Sequence, residues 1–83
     1  GAMGFLNAPR GEAILQNSAT YIKEKFTPDH QPDADAIAHL VDAIVSVDYV
    51  LEGIATKKPA GEQPFGFGEI GLAPLGYPVK SAA

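Results

Sequence analysis

His39, with Asp35 four residues before it and Asp42 three residues after it, is the grouping in this chain whose types and spacing best suit chemistry. Side chains three and four apart share one face of a helix, so the three groups would line up on consecutive turns. An exposed helical histidine is the acceptor that phosphoryl relay requires, and the phosphoryl dianion it would carry needs a cation one turn away. His39-Leu40-Val41-Asp42 puts a carboxylate there instead, which repels the dianion. The competing reading is a solvated surface histidine beside its neighbouring carboxylates. A metal ion could sit among Asp35, His39 and Asp42, with His30 reaching in from a connection. A zinc site takes three or four N, S or O ligands, however, and two histidines without any cysteine are a poor donor set. The sequence therefore assigns no metal and no cofactor.

Nucleophilic catalysis finds no support. Ser18, Ser46 and Ser81 have no partner base at a suggestive spacing. Gly66, Gly68 and Gly71 superficially suggest a phosphate loop, but no strand precedes them, no Lys-Ser/Thr ending follows, and phenylalanines flank them. The chain is read as a non-enzyme. Asp48, Tyr49 and Glu52 are the candidate partner contacts. By helical phase Asp48 falls inside an apolar arc, where an unpaired carboxylate costs several kcal/mol. Arg10, Tyr21, Lys23 and Lys25 are its possible partners within the domain. Tyr49 and Glu52 share the next strip, and tyrosine is a common interface anchor.

The element that must position these groups is one long amphipathic helix over Asp33 to Lys58. Ile37, Leu40, Ile44, Val47, Leu51 and Ile54 recur at spacings of three and four and form its packing seam. Val41 and Val45 widen the apolar arc on one side, Ala43 and Val50 on the other. His39, Asp42, Ser46 and Tyr49 are expected on the polar side. So wide an arc calls for more than one neighbour. Asp33 is the natural N-cap, and Pro59 with Gly61 forms the stop.

Before it, Glu12 to Phe26 reads as a first helix through Leu15, Ala19, Ile22 and Phe26. Thr27-Pro28 ends it, because the residue before a proline is driven out of the helical region. After it, the stretch Pro64 to Leu75 is expected to be a short or irregular helix, or an ordered coil, docked by Phe65, Phe67, Ile70 and Leu72. Each interior glycine costs a helix about 1 kcal/mol and Pro74 about 3 kcal/mol. Leu75-Gly76-Tyr77-Pro78-Val79 has the form of a helix C-terminus with Gly76 in the left-handed position. The fold class is all-α, a helical hairpin with a short third helix or ordered coil, bundle-like.

Composition sets the outer bounds. The chain has 83 residues, six Lys and Arg against ten Asp and Glu, and no cysteine. Gly1-Ala2-Met3-Gly4 resembles a tag-cleavage remnant, leaving one small domain over 5–79 and a tail over 80–83. The net charge of -4 argues against nucleic acid. No apolar run approaches the ~18 residues that a membrane span needs, so no membrane insertion is expected. The absence of cysteine allows a reducing compartment, and the cytoplasm is the expected location. A domain of this size buries only about 60% of its unfolded surface and leans readily on a partner or a second copy.

Two stretches carry a family resemblance. Ala43-Ile44-Val45-Ser46-Val47-Asp48-Tyr49-Val50-Leu51-Glu52 and Leu72-Ala73-Pro74-Leu75-Gly76-Tyr77-Pro78-Val79 resemble paired motifs of the phosphotransfer-like helical domains in the chemosensory histidine kinase that controls type IV pili, and in a related pilus scaffold protein. The resemblance covers roughly Asp33 to Val79. Gly66, Gly68, Gly71 and Pro74 depart from it, standing where the family pattern runs as ordinary helix. It implies a non-catalytic interaction and scaffolding domain in two-component signalling for type IV pili and twitching motility, binding a receiver protein, a scaffold protein or its own copy. Two alternatives stand beside it: an active phosphotransfer domain using His39, and a dimerisation or docking element of a large multidomain enzyme.

Overall fold

A computed structural model describes residues 9–58 and 61–79. The expected tag remnant at 1–4, the tail at 80–83, Pro59 and Ser81 lie outside the described residues. Among the described residues three helices follow one another: α1 (Pro9–Lys25), α2 (Ala34–Ala55) and α3 (Gln63–Leu72).

Each helix end has a local cause. Pro9 opens α1, where its missing N–H is no loss, while Glu12 in the first turn and Lys23 and Lys25 in the last complement the helix dipole. The Phe26 N–H still bonds to the Ile22 carbonyl. Thr27 and His30 then exchange two backbone hydrogen bonds of 3.1 Å, which turn the chain back on itself. Asp33 caps α2 as expected: its Oδ1 accepts from the Ala36 N–H at 2.8 Å. At the other end Lys57 adopts φ 62°. The N–H of Lys58 reaches the Gly53 carbonyl and that of Lys57 the Ile54 carbonyl, which is a Schellman closure built on a non-glycine residue.

The third segment resolves to a regular ten-residue α-helix, with Pro64 in its first turn. It ends in a second Schellman closure, in which Gly76 takes φ 88°, the Tyr77 N–H bonds to the Leu72 carbonyl and the Gly76 N–H to the Ala73 carbonyl. The glycines are tolerated because two of them face α2. A Cβ on Gly68 would stand 2.2 Å from Ser46 Oγ, and one on Gly71 would stand 2.9 Å from the His39 carbonyl oxygen. The backbones of α2 and α3 approach closely through these gaps, and α2 packs more extensively on α3 than on α1.

The core is Ile14 from α1, Ala43, Val47 and Val50 from α2, and Phe65 and Leu72 from α3, with Leu15, Leu51, Leu75 and Val79 packed around it. This corrects the seam expected for α2. Leu40 and Val47 are buried and Leu51 is half-buried, but Ile37 and Ile44 are 41% and 39% exposed and Ile54 also faces solvent. The buried face is rotated toward Ala43, Ser46 and Val50, because the small Ala43 and Ser46 receive α3. Asp48 is likewise exposed, not inside the packed arc. Phe65 and Leu72 dock α3 as expected; Phe67 and Ile70 do not, each being 71% exposed.

Candidate docking surface

α2 is the longest element, 22 residues or about 33 Å, and carries the exposed groups. Its outward side is apolar in an unusual degree for a domain this small. Ile37, Val41, Ile44 and Val45 are all exposed, and Tyr49 is 60% exposed. With α3 packed on the Ala43–Ser46 side, the aliphatic residues that looked like packing residues become surface.

Where α2 meets α3, an open groove of ≈ 660 Å³ runs along the two helices. Val45 and Tyr49 form one wall and Phe67 and Ile70 the other. Ser46 and Gly71 line it between them, with His39 and Asp42 toward the N-terminal end of α2. Phe67 and Ile70, expected to dock the third segment, are thus exposed and central to the groove. Their phase on α3 relative to Gly68 and Gly71 is the available signal: where those glycines face α2, the residues immediately before them turn outward.

Of the expected site residues, His39, Asp42 and Tyr49 line the groove. His39 is half-buried at the groove, whereas Asp35 is exposed on the first turn of α2. Among the described residues, no three His, Asp or Glu side chains come together as a metal group. Tyr49 lines the groove, while Asp48 and Glu52 are exposed on the strip beyond it. Ser18 and Ser46 are buried, and their hydroxyls donate to the Ile14 and Ala43 carbonyls of their own helices at 2.7 Å. Ser18 does not line the groove, and Ser46 lines it with its hydroxyl engaged by its own helix.

The charges are lopsided. Between Ala34 and Ala55 the charged side chains are Asp35, Asp42, Asp48 and Glu52, with no lysine or arginine. Arg10, a candidate partner for Asp48, is committed to α3 instead. Its Nε and Nη2 donate to the two Glu69 carboxylate oxygens at 2.9 and 2.8 Å, its guanidinium lies 5.7 Å from the Phe65 ring centre, and Glu62 lies 3.8 Å away. The Glu69 hydrogen bonds hold the Arg10 pKa above its usual value. Such bidentate pairs fix geometry as well as charge.

The Leu75–Val79 segment is strapped across α1. Asn17 Nδ2 donates to the Tyr77 and Pro78 carbonyls, each at 3.1 Å. The Tyr77 ring meets Tyr21 edge-on at 5.5 Å, and its hydroxyl donates to Glu24. That hydrogen bond raises the Tyr77 pKa above the ordinary tyrosine value. The strap braces α1 against the end of α3. Among the described residues, no helix is long and apolar enough to cross a membrane.

The sequence model described as the FimL C-terminal domain matches residues 1–70. The chain is also 29% identical, over 83 residues, to the scaffold protein FimL of Pseudomonas aeruginosa; the match covers 98% of this chain and 15% of that protein's length. No solved structure matches the chain.

Proposed function

The chain belongs to the FimL C-terminal domain family, and from that premise we propose that it is a non-catalytic docking module of a cytoplasmic scaffold in the chemosensory signalling that controls type IV pili and twitching motility. Its relative is named a scaffold protein, which supports a role carried by protein–protein contact. The single observation behind the reading is the outward side of α2 with its groove: Val45, Tyr49, Phe67 and Ile70 are large, apolar and exposed on a domain that has a closed core elsewhere. Apolar area of that kind beside a polar rim is the usual mark of an interaction site. Tyr49, Asp48 and Glu52 are its polar and aromatic edge.

Phosphoryl relay through His39 is disfavoured by the same geometry. His39 is half-buried against α3, its backbone carbonyl is in close contact with Gly71, and Asp42 supplies a negative charge where a cation is needed. The test is twitching motility of the full-length protein in its own host. Val45→Asp combined with Tyr49→Ala should abolish twitching at unchanged protein level, and His39→Gln should leave it intact. Normal twitching in the double variant, or acid-labile phosphate that His39→Gln removes, overturns the reading.

A further inference from the structure

We propose that the α2–α3 groove receives a basic amphipathic helix from a partner protein, with its apolar stripe on Val45, Tyr49, Phe67 and Ile70 and its lysines or arginines facing Asp42 and the acidic strip beside the groove. This deepens the docking reading above and rests on it.

Three observations carry the choice of occupant. The first is shape. The α2 side of the groove runs from His39 to Tyr49, about 15 Å at 1.5 Å per residue, which matches nearly three turns of a docked helix. Such grooves take residues at i, i+3, i+4 and i+7 of the incoming helix. The second is charge. α2 carries four carboxylates and no lysine or arginine, with His39 its one basic side chain, and Arg10 is held by Glu69 on α3. A partner bearing cations meets complementary potential along the whole length of α2, which favours encounter and fixes orientation. The third is the exclusion of a second copy. Pairing α2 with its own symmetry mate sets Asp42, Asp48 and Glu52 against an equally acidic surface, and like charges across an interface are costly. The same sign disfavours nucleic acid and anionic lipid.

The probe is a synthetic amphipathic peptide of about 18 residues, with leucines at heptad seam positions and lysines on its flanks. Its control has every lysine replaced by glutamate. Each is titrated into the 83-residue chain, with backbone amide shifts followed by NMR. The lysine peptide should bind one to one, shift the amides of Val45, Tyr49, Phe67 and Ile70, and bind at least tenfold more tightly than the glutamate peptide. Asp42→Asn should weaken it severalfold and flatten its salt dependence. Ile70→Asp should weaken it at least tenfold; because Ile70 is 71% exposed, the variant keeps the core, which its unshifted Ile14 and Val47 amides would verify. Equal affinity for both peptides, shifts confined to Ile37, Val41 and Ile44, or self-association that Ile70→Asp removes would each overturn the proposal. The last of these makes a second copy the occupant. Should the peptide fail while Val45→Asp with Tyr49→Ala still abolishes twitching, the docking face stands and its occupant is of another kind. Peptide binding in a protein whose double variant twitches normally would sink the docking reading instead.

Discussion

Replacing Gly68 by alanine tests the close approach of α2 and α3 more sharply than any truncation of the core. On helix propensity alone the substitution stabilises, by about 0.8–1.0 kcal/mol. The structure reverses that sign. The new Cβ would stand 2.2 Å from Ser46 Oγ and 3.2 Å from both the Ala43 carbonyl oxygen and Ile14 Cδ1. Ser46 is buried and its hydroxyl donates to the Ala43 carbonyl at 2.7 Å, so it yields only by breaking that bond or by pushing α3 outward. Loss of a buried hydrogen bond costs roughly 1–3 kcal/mol, and overpacking costs a similar roughly 1–3 kcal/mol. Net of the propensity gain, Gly68→Ala should destabilise by up to about 2 kcal/mol, lowering Tm by up to roughly 10 °C at this chain length. Gly66 is the internal control: nothing lies within 4 Å of its would-be Cβ, so Gly66→Ala should stabilise by about 0.5–1 kcal/mol. Ser46→Ala removes the obstructing atom. It should cost about 1 kcal/mol or less alone and restore most of the loss when combined with Gly68→Ala, a coupling of at least about 1 kcal/mol. Urea denaturation followed by circular dichroism measures all four variants and the wild type on one scale. Gly68→Ala as stable as Gly66→Ala, or a coupling below about 0.5 kcal/mol, would refute the packing argument.

Lys57 holds a left-handed backbone, φ 62°, at the C-terminus of α2. Lys57→Gly should therefore stabilise by about 0.5–1 kcal/mol in the same denaturation assay, and an unchanged midpoint would mean that the Schellman closure is not populated. The Tyr77 pKa is raised by its hydrogen bond to Glu24, so the strap's contribution is intact below the ordinary tyrosine pKa and is lost as pH rises through the higher folded value. Tyr77→Phe should remove from the tyrosinate absorbance titration a step lying above the ordinary tyrosine range; removal of a step at or below that range contradicts the contact.

Much of this architecture follows from local rules that act within a few residues. The Asp33 cap, the break at Thr27-Pro28 and the left-handed Gly76 depend on backbone sterics and near-neighbour hydrogen bonds, and each stands where its residue type puts it. Periodicity likewise suffices to mark α2 as a helix. It does not say which part of a wide apolar arc meets a neighbour, because any helix presenting large aliphatic side chains over so broad an angle offers several equally apolar faces. Periodicity therefore puts Ile37 and Ile44 in the seam and Asp48 in the arc, whereas the structure exposes all three. Long-range pairs such as Arg10 with Glu69 depend on how the helices are placed, which no spacing within one helix encodes.

What settles the face is the distribution of small residues across two helices. Ala43 and Ser46 leave a shallow side on α2; Gly68 and Gly71 leave a matching one on α3, and backbone meets backbone there. A contact formed that way buries Phe65, Leu72, Val47 and Val50 at its margins and turns the larger aliphatic side of α2 away from the core. The glycines thus have two consequences that a helix-propensity scale cannot register. They bring α3 in on the Ser46 side, and by doing so they leave Val45 and Tyr49 open beside Phe67 and Ile70. Two of the four residues that depart from the resembling helix pattern, Gly68 and Gly71, are therefore the ones that create the groove. A relative with ordinary helix-forming residues at the Gly68 and Gly71 positions should hold its third helix farther from the second and present a different docking surface. On the docking reading proposed above, partner choice within the family should follow the small residues at the α2–α3 contact as much as the groove-lining side chains.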